Sequence, residues 1–387
     1  MGARGRSMTN SDLPEIGRAL VVYGPGVPGD VDTFEYEFES VAVHCAFGMV
    51  PLPRFDPQVE PRSVLLRKRG FSLNYRDRGI ALQIAKHQSE GDFFPIGSDF
   101  VAEVLACGSD VAELSPGDRV IPDSAYPNSR ELGVRGGIPV NSASREFQVI
   151  PAVKLMRIPP AMSDTVAAGF TIGAQTAMAM ERRVDAPAGD AVLVTSARSN
   201  TALFSIAALR RRNLQIHAAT RSDQCADRLR ELGVDAVLQP QVGADGLPHF
   251  ASNPECQRVL SERGGYAAVI DPFFDIYMLA SLEVLKTSGA YVTCGRADQS
   301  SHLTGAQKRS EPPISAVMSQ ALTRNLVIHG NCLGSTEDLA RAVADHAAGL
   351  FRIPLDRVFN DPADAQEFVH RSWSAPDRLG KVVFLYD

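Results

Sequence analysis

The sequence predicts an α/β protein in two parts, one mostly β and one a doubly wound parallel sheet. Three observations predict it. At 387 residues the chain is too long for one small domain and comfortable for two. Its first third alternates short apolar runs with Gly and Pro, the punctuation of strands. From about Ser163 the period changes, and helical patterns alternate with short buried strands. Such alternation implies a parallel sheet covered on both faces.

The elements follow in order. The start, "MGARGRSMTNSDLPEIG", has basic residues but no apolar run behind them, so it is not a secretory signal. It reads as a disordered leader over residues 1–18. The runs "ALVVYG", "SVLLRKRGFSL", "FVAEVLACG", "DRVIP" and "REFQVIP" are the strands of the first part. In the second part strands are expected at Ala191–Thr195, Leu214–Thr220, Ala236–Leu238, Ala267–Asp271, Ala290–Cys294 and Asn325–His329. Helices fall between them, among them Asp223–Leu232, Ile276–Lys286 and Thr336–Ala348. The polar stretch "SSHLTGAQKRSEPPIS" reads as a loop. The end, from "IPLDRVF" onward, reads strand, helix, strand, and is expected to return to the first part. The boundaries are then 19–163 with 350–387 for the mostly-β domain and 164–349 for the parallel sheet.

Composition excludes several classes. The chain is 44% hydrophobic and 22% charged, with a net charge of −6. It has no basic stripe for nucleic acid. No apolar run approaches the roughly 20 residues of a membrane helix. The six cysteines stand far apart with no CxxC pair, which fits reduced cysteines in the cytoplasm and no metal finger.

Five stretches then occur in a known order: "VLLRKRGFSLNYRD", "PIGSDFVAEVLACGSDVAELSPGDRV", "REFQVIPAVKLMRIPPAMS", "TRSDQCADRLRELGVDAVL" and "IPLDRVFNDPADAQEFVHRS…GKVV". They cover most of the chain from about Ala19 on, and by them the sequence resembles the medium-chain dehydrogenase/reductase superfamily. The resemblance implies a GroES-like catalytic domain interrupted by a Rossmann domain, with the active site in the cleft between them. Zinc-dependent members place Cys, His and Cys or Asp where this chain has Asn74, Ser98 and, more loosely, Ile172. None of these is a good zinc ligand. The stretch from Val120 to Asn141, where the family's structural-zinc lobe would lie, holds no cysteine. The chain therefore resembles the zinc-independent quinone oxidoreductase and enoyl reductase branch, and no metal is expected. That branch uses NADPH to reduce activated C=C bonds in enones, quinones or enoyl-type substrates.

The cofactor turn is unusual. The branch pattern G-A-x-G-G-V-G is replaced by Ser196-Ala197-Arg198-Ser199-Asn200-Thr201-Ala202. Ala202 adds only a methyl. Ser196 fits if its φ is negative, since positive φ is what calls for glycine. Ser199 either crowds the pyrophosphate or donates a hydrogen bond to it. The helix N-terminus behind it is an anion site whatever the side chains are. Alternatively, Ser199, Asn200 and Thr201 are simply a helix cap on a degenerate Rossmann domain. Farther on, Thr220, Arg221 and Ser222 end the next strand. An Asp or Glu there would suit NAD; Arg221 suits a 2′-phosphate, so NADPH (NADP+) is the expected cofactor. Gly295 and Asn331 lie where the family passes backbone close to the nicotinamide. Phe273 and Phe274 replace a Gly-rich turn, and with Tyr126 are candidate pocket residues.

A metal-free reductase needs a proton donor or carbonyl hydrogen bond. Tyr75, read as a loop residue, is the catalytic candidate, with Asn74 positioning substrate or ribose. Asp77 reads as structural, holding a nearby Arg. Two alternatives stay open: a metal-free alcohol or ketone dehydrogenase, and a non-redox binding or partner protein. The expected partners are a small-molecule substrate and, by the resemblance, a second copy of the chain in a homodimer joined edge to edge.

Overall fold

A computed structural model describes residues 14–243, 246–305 and 312–387. Their contacts form two compact units. One takes the described residues of Met1–Ile172, Ser300–Ala306 and Leu355–Asp387, and the other those of Gly173–Gln299 and Gln307–Pro354. The sequence places the boundaries after residues 163 and 349; the contacts place them later, for identifiable reasons. The short helix Asp164–Ala167 packs on the strands Ser63–Ser72 and Asp99–Cys107. The Asp164 carboxylate accepts from Arg69 Nε at 2.6 Å and Arg119 Nε at 2.9 Å. Ser301–Thr304 is a helical turn, not loop; it packs against the helix Tyr75–His87, and the Ser40 hydroxyl donates to the Thr304 carbonyl at 2.9 Å. The rest of the expected loop divides the same way: Ile314 already starts a helix, and residues 306–311 lie outside the described residues. So do residues 1–13 of the expected leader, while Ile16, within it, begins a strand because it pairs in register with Pro51.

The first unit is mostly β, as its sequence punctuation predicts. One sheet of four strands runs Phe34–Phe38, Val41–Pro51, Ile16–Tyr23, Phe93–Pro95. A second sheet orders Leu355–Phe359, Lys381–Leu385, Ser63–Ser72, Asp99–Cys107, Arg119–Pro122 and Leu155–Arg157, with Phe147–Pro151 also on Ser63–Ser72. Alternation sorts the side chains: Val64 and Leu66 enter one core, while Leu65 joins a second cluster with Phe55, Leu105 and Phe147. The C-terminal strand returns as expected and pairs antiparallel, Leu385 against Gly70. Only glycine allows that approach, because a Cβ on Gly70 would sit 2.6 Å from the Leu385 side chain and 2.9 Å from the Phe384 carbonyl oxygen. Phe384 then locks the return, its ring 5.5 Å from Phe71 and 5.7 Å from Phe368 between centroids.

The second unit is a six-stranded parallel sheet: Ala191–Val194, Gln215–Ala219, Ala236–Leu238, Tyr266–Asp271, Leu285–Thr293 and Val327–Gly330. Numbered along the chain, the strands stand in the order 3-2-1-4-5-6, that of a Rossmann sheet. Every residue of Ala191–Val194 and of Tyr266–Asp271 is buried, as central parallel strands require. The order reverses between these two strands, and their C-terminal ends open the crevice where such sheets bind ligands. Among the described residues no helix is long and apolar enough to cross a membrane.

Phe384 is fully buried among aromatic rings. Phe384→Ala should cost about 3–5 kcal/mol, read as a lower urea midpoint for the first unit. An unchanged midpoint would mean that the C-terminal strand does not stabilise this sheet.

Candidate functional site

In the first unit, five side chains meet in a buried polar cluster just past the ends of paired strands. Asn74 follows Ser63–Ser72, Ser98 and Asp99 open Asp99–Cys107, and Lys381 opens Lys381–Leu385. The Lys381 ammonium donates to Asn74 Oδ1 at 2.8 Å and to Asp99 Oδ2 at 3.1 Å. Asn74 Nδ2 donates to Asp99 Oδ2 at 2.9 Å and Ser98 Oγ at 3.1 Å. Ser98 passes its own hydrogen to Asp77 Oδ2 at 2.7 Å, which also accepts from the Asn74 N–H at 2.8 Å. The Ile172 N–H closes the group on Asp99 Oδ1 at 2.9 Å. Asp77, Ser98, Asp99 and Lys381 are fully buried. The charges balance, Lys381 against Asp99 and Arg76 against Asp77 at 3.1 Å. Burial pushes the Asp77 carboxyl up, and Arg76, the Asn74 N–H and the Ser98 hydroxyl pull it back.

The three positions aligned with zinc ligands therefore do converge, but on one another. A zinc site offers thiolate, imidazole or carboxylate. Here the three positions offer an amide, a hydroxyl and a backbone N–H, and the two carboxylates they meet are each paired with a cation, Asp99 with Lys381 and Asp77 with Arg76. Among the described residues no group of three or more His, Cys, Asp or Glu could hold a metal ion. The stretch aligned with the structural-zinc lobe is pinned another way. Lys154 Nζ donates to the carbonyls of Arg135 at 3.1 Å and Gly137 at 2.6 Å; Arg130 Nη2 donates to those of Val153 at 3.0 Å and Leu155 at 2.8 Å.

Asn74 gives both amide hydrogens to the cluster and takes the Lys381 ammonium on Oδ1, so its whole side chain is engaged there. Its place is that of an anchor for its neighbour. Tyr75 is not on a loop: it is the first residue of the helix Tyr75–His87, started by the Asp77 carboxylate turning back to the Asn74 N–H. Tyr75 is 38% exposed, and the Arg78 guanidinium lies 5.9 Å from the centre of its ring and 4.8 Å from that of Phe38. Asp77 does hold a neighbouring arginine. Tyr126 is exposed on the stretch that Lys154 and Arg130 pin.

In the second unit the glycine-free turn joins Ala191–Val194 to the helix Asn200–Leu209. Ser196 has φ of +50°, so the condition under which a serine fits there without strain is not met: the residue occupies the left-handed region that the missing glycine would have taken. Two bonds fix the backbone beside it. The Ala197 N–H donates to the Ala219 carbonyl at 2.9 Å, and the Ser199 N–H to the Ser196 carbonyl at 2.8 Å. Ser199 is the helix cap, its hydroxyl accepting from the Ala202 N–H at 3.2 Å. Among the described residues no acceptor takes that hydroxyl's own hydrogen. Capping and donation to a phosphate are thus compatible roles for Ser199. Arg198, Asn200 and Thr201 flank it on the turn and the first helical residues. The turn, the helix N-terminus and the strand-order reversal fit a dinucleotide pyrophosphate.

The remaining candidates separate. Arg221 is exposed after the second strand, and no partner among the described residues bonds its guanidinium. Thr220 is buried there and its hydroxyl accepts from the Ser222 N–H at 3.4 Å. Gly295 is required by packing, since its Cβ would lie 2.7 Å from the Pro272 carbonyl oxygen. Asn331 accepts from Arg183 Nε at 2.9 Å and donates to the Leu333 carbonyl at 2.8 Å, so its amide shapes its own turn. Phe273 and Phe274 are half-buried, and Phe274 packs on the core of the sheet. Sequence reasoning missed Asp99, Lys381 and Asp271. Asp271, fully buried at the end of the fourth strand, accepts from the Thr195 hydroxyl at 2.6 Å, the Tyr291 hydroxyl at 2.6 Å and the Phe273 N–H at 3.0 Å. Burial pushes its carboxyl up and these donors pull it back.

Comparison with known proteins bears on the fold that carries these residues. The Alcohol dehydrogenase GroES-like domain family matches residues 60–160. The chain is similar to a mycocerosic acid synthase-like polyketide synthase of Mycobacterium tuberculosis, 26% identical over 297 residues, which is 76% of this chain and 12% of that protein. Three solved structures share the fold. A thermostable alcohol dehydrogenase from Pyrobaculum aerophilum has a TM-score of 0.69 at 22% identity, covering 96% of this chain and 99% of the other. A mycobacterial quinone oxidoreductase has 0.67 at 20%, covering 95% and 99%. The 2-octenoyl-CoA carboxylase reductase CinF, solved with NADP and 2-octenoyl-CoA, has 0.71 at 19%, covering 97% and 88%.

Removing the ammonium from the buried cluster leaves Asp99 charged without its cation. Lys381→Met should cost about 3–5 kcal/mol, read in chemical denaturation. A loss under 1 kcal/mol (roughly a surface pair's worth) would show the pair to be dispensable.

Proposed function

We propose that this chain, which has the medium-chain dehydrogenase/reductase fold, is an NADPH-dependent oxidoreductase that reduces an activated C=C bond without zinc. The substrate class is an enone, a quinone or an enoyl-type compound. The observation that carries the reading is the self-satisfied cluster of Asn74, Ser98, Asp99 and Lys381, whose donors leave no ligand set for a catalytic zinc. A carbonyl conjugated to C=C can be reduced at its β-carbon with only a hydrogen bond to its oxygen and a proton source. The likeness to a quinone oxidoreductase and to CinF supports that chemistry.

When bound, NADPH supplies the hydride. Ser199 and the N-terminus of Asn200–Leu209 would hold the pyrophosphate, with Arg198 and Thr201 beside them. Arg221, exposed past the second strand, would take the 2′-phosphate. Tyr75, held on the first turn of its helix by Asn74 and Asp77, would hydrogen-bond the substrate carbonyl oxygen and donate the proton that the reduced product needs. The cluster does no chemistry itself; it keeps Tyr75 in place. A second copy of the chain would pair along the edge strand Val327–Gly330, where Val327 and Ile328 are exposed. The free cysteines fit a reducing cytoplasm.

One observation favours a second reading, a non-redox binding protein. Ser196 takes a left-handed φ at a cost of about 1–2 kcal/mol, which selection for dinucleotide binding would ordinarily remove by restoring glycine.

Arg221→Ala should weaken NADPH at least about tenfold, ~1.4 kcal/mol, and leave NADH unchanged in calorimetric titration. Equal losses would remove the 2′-phosphate role. Tyr75→Phe should lower turnover with an enone or quinone roughly a hundredfold while cofactor affinity holds; unchanged turnover would reduce Tyr75 to lining. Reductase activity should survive chelator, and purified protein should hold no stoichiometric zinc by elemental analysis. Loss of activity with chelator, restored by zinc, would overturn the metal-free reading.

A further inference from the structure

We propose that Asp271 is a positioning residue for the glycine-free turn: acting through Thr195, it holds Ser196 in the left-handed conformation that glycine would adopt unaided. The inference rests on the reading of this turn as a dinucleotide site.

Thr195 is the residue immediately after the first strand, fully buried, and its N–H is already committed to the Ile270 carbonyl at 3.0 Å. Its hydroxyl donates to Asp271 Oδ1 at 2.6 Å. Asp271 is itself fixed. Oδ1 also accepts from the Phe273 N–H at 3.0 Å, and Oδ2 from the Tyr291 hydroxyl at 2.6 Å. Thr195 is therefore tied to the fourth strand through backbone and side chain, on the side where the strand order reverses. Two residues later, Ala197 is tied to the second strand by its N–H on the Ala219 carbonyl. Ser196 sits between the two ties with φ of +50°. A serine does not choose that conformation; fixed neighbours on both sides impose it. A glycine-rich turn needs no such clamp, because glycine enters this region at little cost. The Thr195 tie is well defined because the carboxyl that receives it is itself held by the Phe273 N–H and the Tyr291 hydroxyl.

The test is a cycle of Thr195→Val, Ser196→Gly and their combination, each titrated with NADPH and melted without it. Thr195→Val keeps the shape and deletes the hydroxyl. It should weaken NADPH roughly tenfold (~1.4 kcal/mol) and lower the melting temperature. Ser196→Gly in that background should recover most of the affinity, because glycine needs no clamp, and should raise the melting temperature more than it does in the parent chain. Thr195→Ser, which keeps the hydroxyl, should bind like the parent. Unchanged affinity in Thr195→Val would overturn the proposal. So would a loss that Ser196→Gly leaves unrecovered, which is what mere structural damage would give. Should the parent chain bind neither NADPH nor NADH, the cofactor reading fails on its own. The melting cycle then still decides the clamp: strictly additive shifts reject it, and a larger glycine gain without the hydroxyl supports it.

Discussion

The first unit depends on the buried ion pair between Lys381 and Asp99. Both side chains are fully buried, and two charges taken out of water cost several kcal/mol each unless their remaining polar capacity is met. Asn74 meets it for both at once, accepting from the lysine and donating to the carboxylate. Ile172 supplies the second carboxylate oxygen with a backbone N–H. The pair thereby ties three strands and the start of the following helix to one point, and fixes the backbone of Asn74, on which Tyr75 stands. The Trp373 indole donates to the carbonyl of that same residue at 3.1 Å, so the C-terminal helix is drawn into the same node. In this cluster the donors face acceptors of the same cluster. That is the physical content of the metal-free reading.

The second unit meets a different constraint. Its sheet carries the strand order and the strand-to-helix turn of a dinucleotide site, yet its turn lacks the residue that makes such turns cheap. The strain at Ser196 is local, and the bonds that hold it come from the two strands on either side, at Ala219 and Asp271. Side-chain hydrogen bonding does there what backbone freedom does elsewhere. Ser199, as helix cap, accepts from the Ala202 N–H and keeps its own hydroxyl hydrogen to donate, so polar groups stand where the usual pattern has bare backbone.

Much of the fold was legible because it rests on local pattern. The apolar runs and the change of period near Ser163 mark the two units, and Ala236–Leu238 and the Thr336 helix start are read to the residue. Elements that depend on distant partners were not. Asp164–Ala167 joins the first unit because it packs on strands of that unit and Arg69 and Arg119 claim Asp164. The helix at Tyr75 hides behind a strand, its capping carboxylate being visible as Asp77 but its direction not. In the site, Asn74 and Ser98 are marked by the family motifs they fall in, whereas Lys381 stands 307 residues from Asn74 and 282 from Asp99, and nothing local marks it. The φ of Ser196 is likewise set by tertiary ties. Gly295 and Asn331 illustrate the converse: residues whose types suit a cofactor are accounted for by the Pro272 carbonyl and by Arg183.

The measurement that bears most directly on the account is calorimetric titration of the unaltered chain with NADPH and, separately, NADH. NADPH should bind saturably at one site, tighter than NADH by tenfold or more (~1.4 kcal/mol), through a turn that contains no glycine. Absence of heat with either nucleotide would contradict it, and would make the second unit a scaffold.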